Sequence, residues 1–229
     1  MNEAVSATAN LLGDPGRAAM LLSLMGGVSR PAGELAQVAN VAPQTASAHL
    51  AKLVDGRLLT VERQGRHRYY RLADGDVADA IESLLVLTGR SHDAGDGPSK
   101  AAAGGLAYAR TCYAHLAGWL GVRIAESLEE RDLIVQFDAK TYRVTPAGQD
   151  WFVGLGIELA HARPDRPLLA RRCLDWTERR HHLAGTPGCA LCRRFNELRW
   201  TATVRNTRAI RVTLEGKTRL WELLRIPIA

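Results

Sequence analysis

The chain has 229 residues, of which 30 are lysine or arginine and 24 are aspartate or glutamate, so its formal net charge is +6. Hydrophobic residues make up 46% and charged residues 24% of the sequence, as in an ordinary globular protein. No apolar run approaches the ~18 residues that a membrane span needs, which excludes a membrane-embedded protein. The length leaves room for one large or two modest domains.

The start of the chain and its cysteines indicate the compartment. Residues 1–6 lack the basic start and the apolar core of a signal peptide. We therefore expect a cytoplasmic protein whose thiols are reduced and are available as ligands or sensors. The four cysteines are Cys112, Cys173, Cys189 and Cys192.

The positive charge is unevenly distributed along the chain. Residues 1–90 contain nine Lys/Arg and nine Asp/Glu, whereas residues 91–229 contain 21 and 15. A net positive charge suits a nucleic-acid partner. Two interpretations of the excess stay open: the second half helps to hold DNA, or its arginines serve an acidic ligand or structural pairs.

In chain order, residues 1–10 are small and polar, and we predict that they are frayed. Asp14-Pro15 then marks the start of a helix, with a capping side chain followed by proline. The next stretch predicts a helix, a turn, a second helix that stops at Gly56, and two short strands. These elements lie at 33–40, 41–42, 43–54, 58–63 and 68–72.

The helix over 43–54 has one apolar face, on which Ala46, Leu50, Leu53 and Val54 recur at helical spacing. Short or hydrogen-bonding side chains fill the opposite face near its start, as in helices that contact base edges in a major groove. The side chains predicted to contact DNA from this helix are Gln44, Thr45, Ser47 and His49, with Lys52 in support.

The tip between the two strands is basic, and Gly65 permits a tight turn there. Such a tip is expected to contact phosphates or a minor groove. Its predicted DNA-binding residues are Arg63, Arg66, His67 and Arg68.

Four motifs together resemble the ArsR/SmtB group of bacterial transcriptional repressors over residues 11–88. They are Leu12-Gly-Asp-Pro-Gly-Arg17, Glu34-Leu-Ala36, Thr45-Ala-Ser-Ala-His-Leu50 and Gly65-Arg-His-Arg-Tyr-Tyr-Arg-Leu72. The resemblance implies a winged helix-turn-helix that binds double-stranded DNA as a homodimer, with the first helix and a helix over 76–88 pairing two subunits. Two alternatives stay open: a winged-helix scaffold that binds protein instead of DNA, and a 76–88 helix that packs only on the chain's own second half.

Residues 89–105 lack apolar periodicity and are rich in small and polar residues, which predicts a linker between a domain at 1–88 and a domain at 106–229. Beyond it we predict a hairpin of strands and several helices. The helices are expected at 106–121, 122–131, 167–185 and 188–200, and the strands at 133–137 and 141–144. A further helix, capped by Thr145, is expected to start at Thr145-Pro-Ala-Gly148 and to run through Leu155. Arg-Val-Thr-x-x-Gly occurs at 143–148 and again at 211–216, an echo too short to define a repeat.

The predicted fold class is therefore mostly α with small β-hairpins (α+β). It comprises an N-terminal winged helix-turn-helix domain and a helical C-terminal domain, for which we also consider a second winged-helix-like unit.

The resembled family senses metals in its DNA-binding domain, but the matching stretches lack the ligands: 34–41 has no cysteine and 76–88 has no histidine. A sensor is therefore expected in the second half. If the predicted helices there face each other, they line a pocket for a small, anionic effector; the alternative is that Cys112 and Cys173 are buried as small apolar residues. The predicted lining is Cys112, His115, Trp119, Cys173, Trp176 and Arg179.

A site for zinc or another thiophilic metal is the second hypothesis. Its ligands would be Cys173, His182, Cys189 and Cys192, in the spacing Cys-x8-His-x6-Cys-x2-Cys. A redox pair and an inert pair are the alternatives for the last two cysteines.

The motifs of nucleotide-binding loops, α/β-hydrolases and zinc proteases are absent from the sequence, so we expect no enzyme. The predicted function is that of a DNA-binding transcriptional regulator, a repressor, whose C-terminal domain senses a small molecule, a metal or a redox signal.

Overall fold

The computed structural model describes residues 2–65, 67–88, 105–159, 167–205 and 207–228. The chain divides into two units, Met1–Ile81 and Glu82–Ala229, each with its own set of contacts. Nearly all of the predicted linker, residues 89–104, lies outside the described residues, and so does Arg66.

The first unit contains four helices around a small sheet, and a fifth helix that continues into the second unit. The helices are α1 (Asn2–Leu12), α2 (Pro15–Ser23), α3 (Ala32–Ala39), α4 (Pro43–Asp55) and α5 (Gly75–Thr88), and the strands are β1 (Arg30–Pro31), β2 (Leu59–Gln64) and β3 (His67–Leu72). The three strands form an antiparallel sheet in the order β1-β3-β2. The predicted helix, turn, helix and hairpin are thus confirmed.

Local chemistry explains where the helices of this unit begin and end. Asp14 caps α2 by accepting a hydrogen bond from the Arg17 backbone N–H at 2.8 Å. Asn40 ends α3 in the left-handed conformation, at φ 51°, and Pro43 occupies the first turn of α4. The core consists of fully or nearly buried apolar residues, most of them from α2, α3, α4 and β3, among them Met20, Leu24, Leu35, Ala46, Leu50, Leu53, Tyr70 and Leu72.

The prediction that residues 1–10 are frayed is wrong, because residues 2–10 belong to the helix α1. No residue of this helix is buried, so its own side chains do not account for it. The guanidinium of Arg17 donates to the backbone oxygens of Leu11 at 2.8 Å and of Asn10 at 2.7 Å. A cation there satisfies the last carbonyls of α1 and opposes the negative end of its dipole.

The second unit alternates short hairpins with helices. Its helices are α6 (Gly118–Glu130), α7 (Pro146–Gly154), α8 (Gly185–Glu197) and α9 (Leu214–Leu224). Its strands are β4 (Arg110–Cys112), β5 (His115–Ala117), β6 (Ile134–Gln136), β7 (Thr141–Val144), β8 (Leu169–Leu174), β9 (His181–Ala184), β10 (Thr201–Thr203) and β11 (Ile210–Val212). They form a four-stranded sheet, β6-β7-β8-β9, and two hairpins, β4-β5 and β10-β11, all antiparallel.

The predicted hairpin over 133–144 is confirmed, but the helices predicted over 106–121 and 167–185 are wrong. The structure has the hairpin β4-β5 and the paired strands β8 and β9 in those places. All three residues of β5 are buried, and a short apolar run of this kind is compatible with either a strand or a helix. Gly118 and Gly185 decide the outcome, because φ values of 75° and 74° let the chain turn from strand to helix at these points.

The second unit consists of two copies of one strand–strand–helix–strand–strand–helix motif, here called the first copy (residues 110–154) and the second copy (residues 169–224). In each copy a hairpin ends in His-Leu-Ala-Gly, and the glycine begins the helix: His115 with Gly118, and His182 with Gly185. The echo in the sequence is therefore part of a true internal repeat.

Matching contacts in the two copies support this equivalence. Thr145 and Thr213 cap α7 and α9 by accepting hydrogen bonds from the backbone N–H groups of Gly148 and Gly216, both at 3.0 Å. A Cβ added at either glycine would lie 2.0 Å from a backbone oxygen of the preceding hairpin. The two copies thus share the same cap and the same close approach of helix to strand.

The apolar core of the second unit draws on both copies, from Leu120 and Leu128 of the first to Leu191 and Phe195 of the second. Among the described residues, no helix is both long and apolar enough to cross a membrane.

Candidate functional site

The start of α4 presents an exposed polar surface. Gln44, Thr45 and Ser47 are exposed, whereas Ala46 between them is buried. The Ser47 hydroxyl donates to the backbone oxygen of Pro43 at 2.9 Å, which leaves its oxygen available as an acceptor. Lys52 is exposed two turns further along the helix.

His49 differs from its neighbours, because it is largely turned inward. Its side chain is 15% exposed, with Nε2 3.8 Å from a carboxylate oxygen of Asp14 and Nδ1 3.4 Å from the guanidinium of Arg17. The hydrogen bond from the Arg17 backbone lowers the pKa of Asp14, and the charge of His49 contributes in the same direction. His49 therefore links α4 to the start of α2.

The hairpin β2-β3 forms an exposed basic ribbon. Arg63 lies directly opposite Arg68, and Gln64 lies opposite His67. All four residues are exposed. Like charges directly opposite each other on a hairpin are destabilising unless an anion lies between or beside them, so this pair favours contact with phosphate.

A second site lies within the second unit, where four cysteine and histidine side chains meet. Their potential ligand atoms all lie within 4.8 Å of one another. The Sγ atoms of Cys112 and Cys173 are 3.9 Å apart, and the Nε2 atoms of His115 and His182 are 3.1 Å apart. Each copy contributes one cysteine and one histidine, at the facing ends of its first hairpin.

The cluster is polarised. Hydrogen bonding to the Cys112 thiol, supported by His115 and His182, lowers the pKa of Cys173 to about 2, and the same contact together with burial raises the pKa of Cys112. Burial lowers the pKa of His115. Burial also acts to lower that of His182, but hydrogen bonds to Asp175 and Cys173 outweigh it and raise the pKa to about 9.

Asp175 connects this cluster to Gly118 and Arg110 of the first copy. Its Oδ2 lies 3.3 Å from His182 Nδ1 and accepts from the Gly118 backbone N–H at 2.7 Å and from the Arg110 guanidinium at 3.0 Å. Burial acts to raise the pKa of this carboxyl, but its hydrogen bond to His182 and the charge of Arg110 lower it well below the usual range.

Arg110 is completely buried and connects the cluster to α5. It lies 3.9 Å from the carboxylate of Glu82, itself 2% exposed, and 4.9 Å from the ring centre of Trp176. Glu82 also accepts from the guanidinium of Arg208 at 2.9 Å. A buried chain of charges thus runs from His182 through Asp175 and Arg110 to Glu82.

The predicted effector pocket and the predicted metal site share one location in the structure, but some of the residues predicted for each lie elsewhere. Cys112, His115 and Cys173 of the predicted effector pocket meet His182 of the predicted metal site. Trp119 stacks on Tyr108 with ring centres 5.3 Å apart, Trp176 packs on Arg110, and Arg179 lies in the turn between β8 and β9. Cys189 and Cys192 are on α8, outside the cluster.

The sequence reasoning missed Asp175, Arg110 and Glu82. A usable signal was present: His-Leu-Ala-Gly-x-x-Gly occurs at both 115–121 and 182–188. The motif pairs His115 with His182, and Arg110 and Asp175 lie in the two hairpins that end in it.

The α3–turn–α4 pair followed by the basic hairpin defines a winged helix-turn-helix protein. Residues 12–62 match a family model described as a helix-turn-helix domain. A curated protein of Bacillus subtilis (strain 168), named as the uncharacterized HTH-type transcriptional regulator YdfF, is 46% identical over 228 residues, with the whole of both chains covered. The chain belongs to the HTH-type transcriptional regulators, and its helix-turn-helix is a DNA-binding domain.

Two solved structures are similar to the first part of this chain. The homodimeric winged helix-turn-helix domain Mb0332 of Mycobacterium bovis, titled a possible ArsR-family regulator, is 26% identical, with a TM-score of 0.37, and covers 42% of this chain and 89% of that chain. NolR from Sinorhizobium fredii is 23% identical, with a TM-score of 0.35, and covers 38% of this chain and 85% of that chain.

Proposed function

We propose that the protein is a cytoplasmic, homodimeric repressor that binds double-stranded DNA near its own gene. Its affinity for that DNA changes in response to a signal received by the second unit. The observation that carries the proposal is the exposed polar start of α4 together with the arginine pair of the neighbouring hairpin. The class of HTH-type regulators to which the chain belongs supports it.

Within this proposal the two exposed surfaces have different tasks. Gln44, Thr45 and Ser47 contact base edges in the major groove and supply specificity. Arg63, Arg68, His67 and Lys52 contact the phosphates, as does Arg66, and supply affinity that depends on salt. His49, because it is largely buried against Asp14 and Arg17, positions α4 and contacts DNA only at its exposed edge.

Dimerisation is supported by the apolar surface of α5. Leu84 and Leu87 of this helix are 43% and 52% exposed. Adjacent exposed leucines on a helix are typical of a surface that a partner covers. A two-fold dimer built on such a helix places two α4 helices on successive half-sites of a near-palindromic operator.

The input is assigned to the second unit, which holds the buried cysteine–histidine cluster. A small molecule, a metal ion and a redox change are the signals that such a group receives. Repression is the direction of control implied by the resemblance to the ArsR/SmtB group.

The test is binding of the purified full chain to its own upstream DNA and to random DNA of the same length, across a series of salt concentrations. We expect tighter binding to the upstream DNA and a steep, linear fall of log affinity with log salt on both. Absence of salt-dependent binding to either DNA would contradict the proposal and favour a protein-binding scaffold.

A further inference from the structure

We propose that Cys112, His115, Cys173 and His182 bind one divalent metal ion of the zinc class between the two copies of the second unit. The metal ion would be the signal that the second unit receives. Its binding does not depend on the proposed function, and only its effect on DNA binding rests on that function.

The distances between the ligand atoms fit one tetrahedral ion. With metal–sulfur distances of about 2.3 Å and metal–nitrogen distances of about 2.0–2.1 Å, a tetrahedron places two sulfurs about 3.8 Å apart and two nitrogens about 3.4 Å apart. The corresponding distances here are 3.9 Å between the sulfurs of Cys112 and Cys173 and 3.1 Å between the Nε2 atoms of His115 and His182. The four ligand atoms all lie within 4.8 Å of one another, and each sulfur–nitrogen distance would become about 3.5 Å around a bound tetrahedral ion.

The donor set selects the class of metal. Two thiolates and two imidazoles suit Zn²⁺ and chemically similar ions, whereas Mg²⁺ and Ca²⁺ prefer oxygen ligands.

The residues around the ligands are also arranged as in known protein metal sites. A carboxylate beside the second ring nitrogen fixes the orientation and tautomer of a ligating histidine. Asp175 occupies this position for His182, and three backbone N–H groups, those of Gly118, Thr177 and Glu178, hold its carboxylate in turn.

Two equivalent glycines bring the histidines together. A Cβ at Gly121 would lie 3.5 Å from the Cβ of His182, and a Cβ at Gly188 would lie 3.4 Å from the Cβ of His115. Each helix thus packs its glycine against the histidine of the other copy. Cys112, His115 and His182 are at most 2% exposed, while Cys173 is partly buried.

This ligand set replaces the one predicted from spacing alone. Cys173 and His182 belong to both, but their partners are Cys112 and His115 instead of Cys189 and Cys192. A disulfide between Cys112 and Cys173 is the competing chemistry, and it would need the sulfurs to approach from 3.9 Å to about 2.05 Å.

The first experiment is metal analysis of the reduced full chain as purified, followed by titration of the metal-free protein with Co²⁺. We expect one metal per chain and, with Co²⁺, a thiolate charge-transfer band and the intense visible absorption of a tetrahedral site that saturates at one equivalent. Cys112→Ser and Cys173→Ser should each lose the charge-transfer intensity of one thiolate, whereas the control Cys189→Ser with Cys192→Ser should match the parent.

The second experiment needs no variant, so it stands even if a ligand substitution prevents folding. Alkylation of the four thiols is followed by peptide mass spectrometry, with and without one equivalent of Zn²⁺. We expect Zn²⁺ to slow alkylation of Cys112 and Cys173 at least tenfold and to leave Cys189 and Cys192 unchanged. Protection of Cys189 and Cys192 instead, no protection at all, or a Cys112–Cys173 disulfide that persists when the protein is purified under reducing conditions would overturn the proposal.

The effect on DNA is measured separately with the same samples. We expect one equivalent of Zn²⁺ to change the Kd for the upstream DNA by about 5- to 150-fold, the usual size of allosteric coupling. One bound metal without DNA binding would overturn the proposed function alone. DNA binding without protection of the thiols by Zn²⁺ would overturn the metal site alone. An unchanged Kd for the upstream DNA after Zn²⁺ has bound would show that the metal site does not control DNA binding.

Discussion

The two units place their polar residues in opposite ways. In the first unit the side chains assigned to DNA, such as Gln44 and Arg63, are exposed and come from one continuous segment. In the second unit Asp175, Arg110 and His182 are completely buried, and they come from hairpins far apart in the chain. Exposed residues contribute little to stability, whereas buried charges must keep their partners. Substitutions of the polar residues in the first unit should therefore change DNA binding without changing stability, whereas substitutions of the buried polar residues in the second unit should lower stability.

The largest effect is expected at the buried ion pair. Asp175→Ala removes the carboxylate that accepts a hydrogen bond from the buried guanidinium of Arg110 and leaves it only the more distant Glu82, which should cost about 3–5 kcal/mol of unfolding free energy. All five tryptophans lie beyond residue 118, so urea unfolding followed by tryptophan fluorescence reports on the second unit.

The matched control for this change is Glu222→Ala, which removes the partner of Arg219 in a pair whose side chains are each 50% exposed. We expect a loss of about 0–1 kcal/mol there, because solvent screens the pair. Equal losses in the two variants would break the contrast between buried and exposed charge.

A smaller effect is expected where the two copies pack on each other. At Gly188 a Cβ would lie 2.3 Å from the backbone oxygen of Leu183, so Gly188→Ala should destabilise the second unit by about 1–3 kcal/mol. Thermal unfolding followed by tryptophan fluorescence measures the loss. A stability within error of the parent would show that the helix is free to move away from the strand.

Gly33→Ala is the corresponding change in the first unit. Nothing lies within 4 Å of a Cβ at Gly33, which is in α3 and is exposed. This variant should be more stable by about 0.4–1 kcal/mol, since alanine narrows the unfolded ensemble. Circular dichroism of the full chain should show the rise, and a loss would indicate that the position is constrained by something outside the chain.

The smallest effects on stability, and the most specific effects on function, are expected on the DNA-binding surface. Gln44→Ala should weaken binding to upstream DNA by about 1–3 kcal/mol and leave binding to random DNA unchanged, because it removes a base contact. Arg63→Ala should weaken both equally and reduce the salt slope by about one. Both should unfold like the parent. A uniform loss for Gln44→Ala would contradict its assignment to a base.

The helix-turn-helix and its hairpin were predictable from the sequence because their signals are local. Pro43 starts α4, a stripe at Ala46, Leu50 and Leu53 sets its buried face, and basic residues mark the hairpin. The helix α1 was not predictable in this way, since it is completed by the guanidinium of Arg17 acting on the end of a helix with no buried residues.

The second unit was harder to predict because its short apolar segments are compatible with the residue spacing of both a strand and a helix. His115-Leu-Ala117 is buried on every side in a hairpin, so it carries neither the alternation of a surface strand nor a helical stripe. Thr145 and Thr213, by contrast, are caps that the sequence identified correctly at one copy and echoed at the other.

The sequence by itself determined the class of this protein, a winged helix-turn-helix regulator, because the residues that define it lie in one segment and obey local rules. It also supplied every chemical group of the second site. Only the tertiary structure decided which of those groups meet: the packing of two copies brings Cys112 and His115 to Cys173 and His182, and leaves Cys189 and Cys192 elsewhere. Contacts between distant hairpins depend on how the copies pack, and spacing along the chain does not encode that packing.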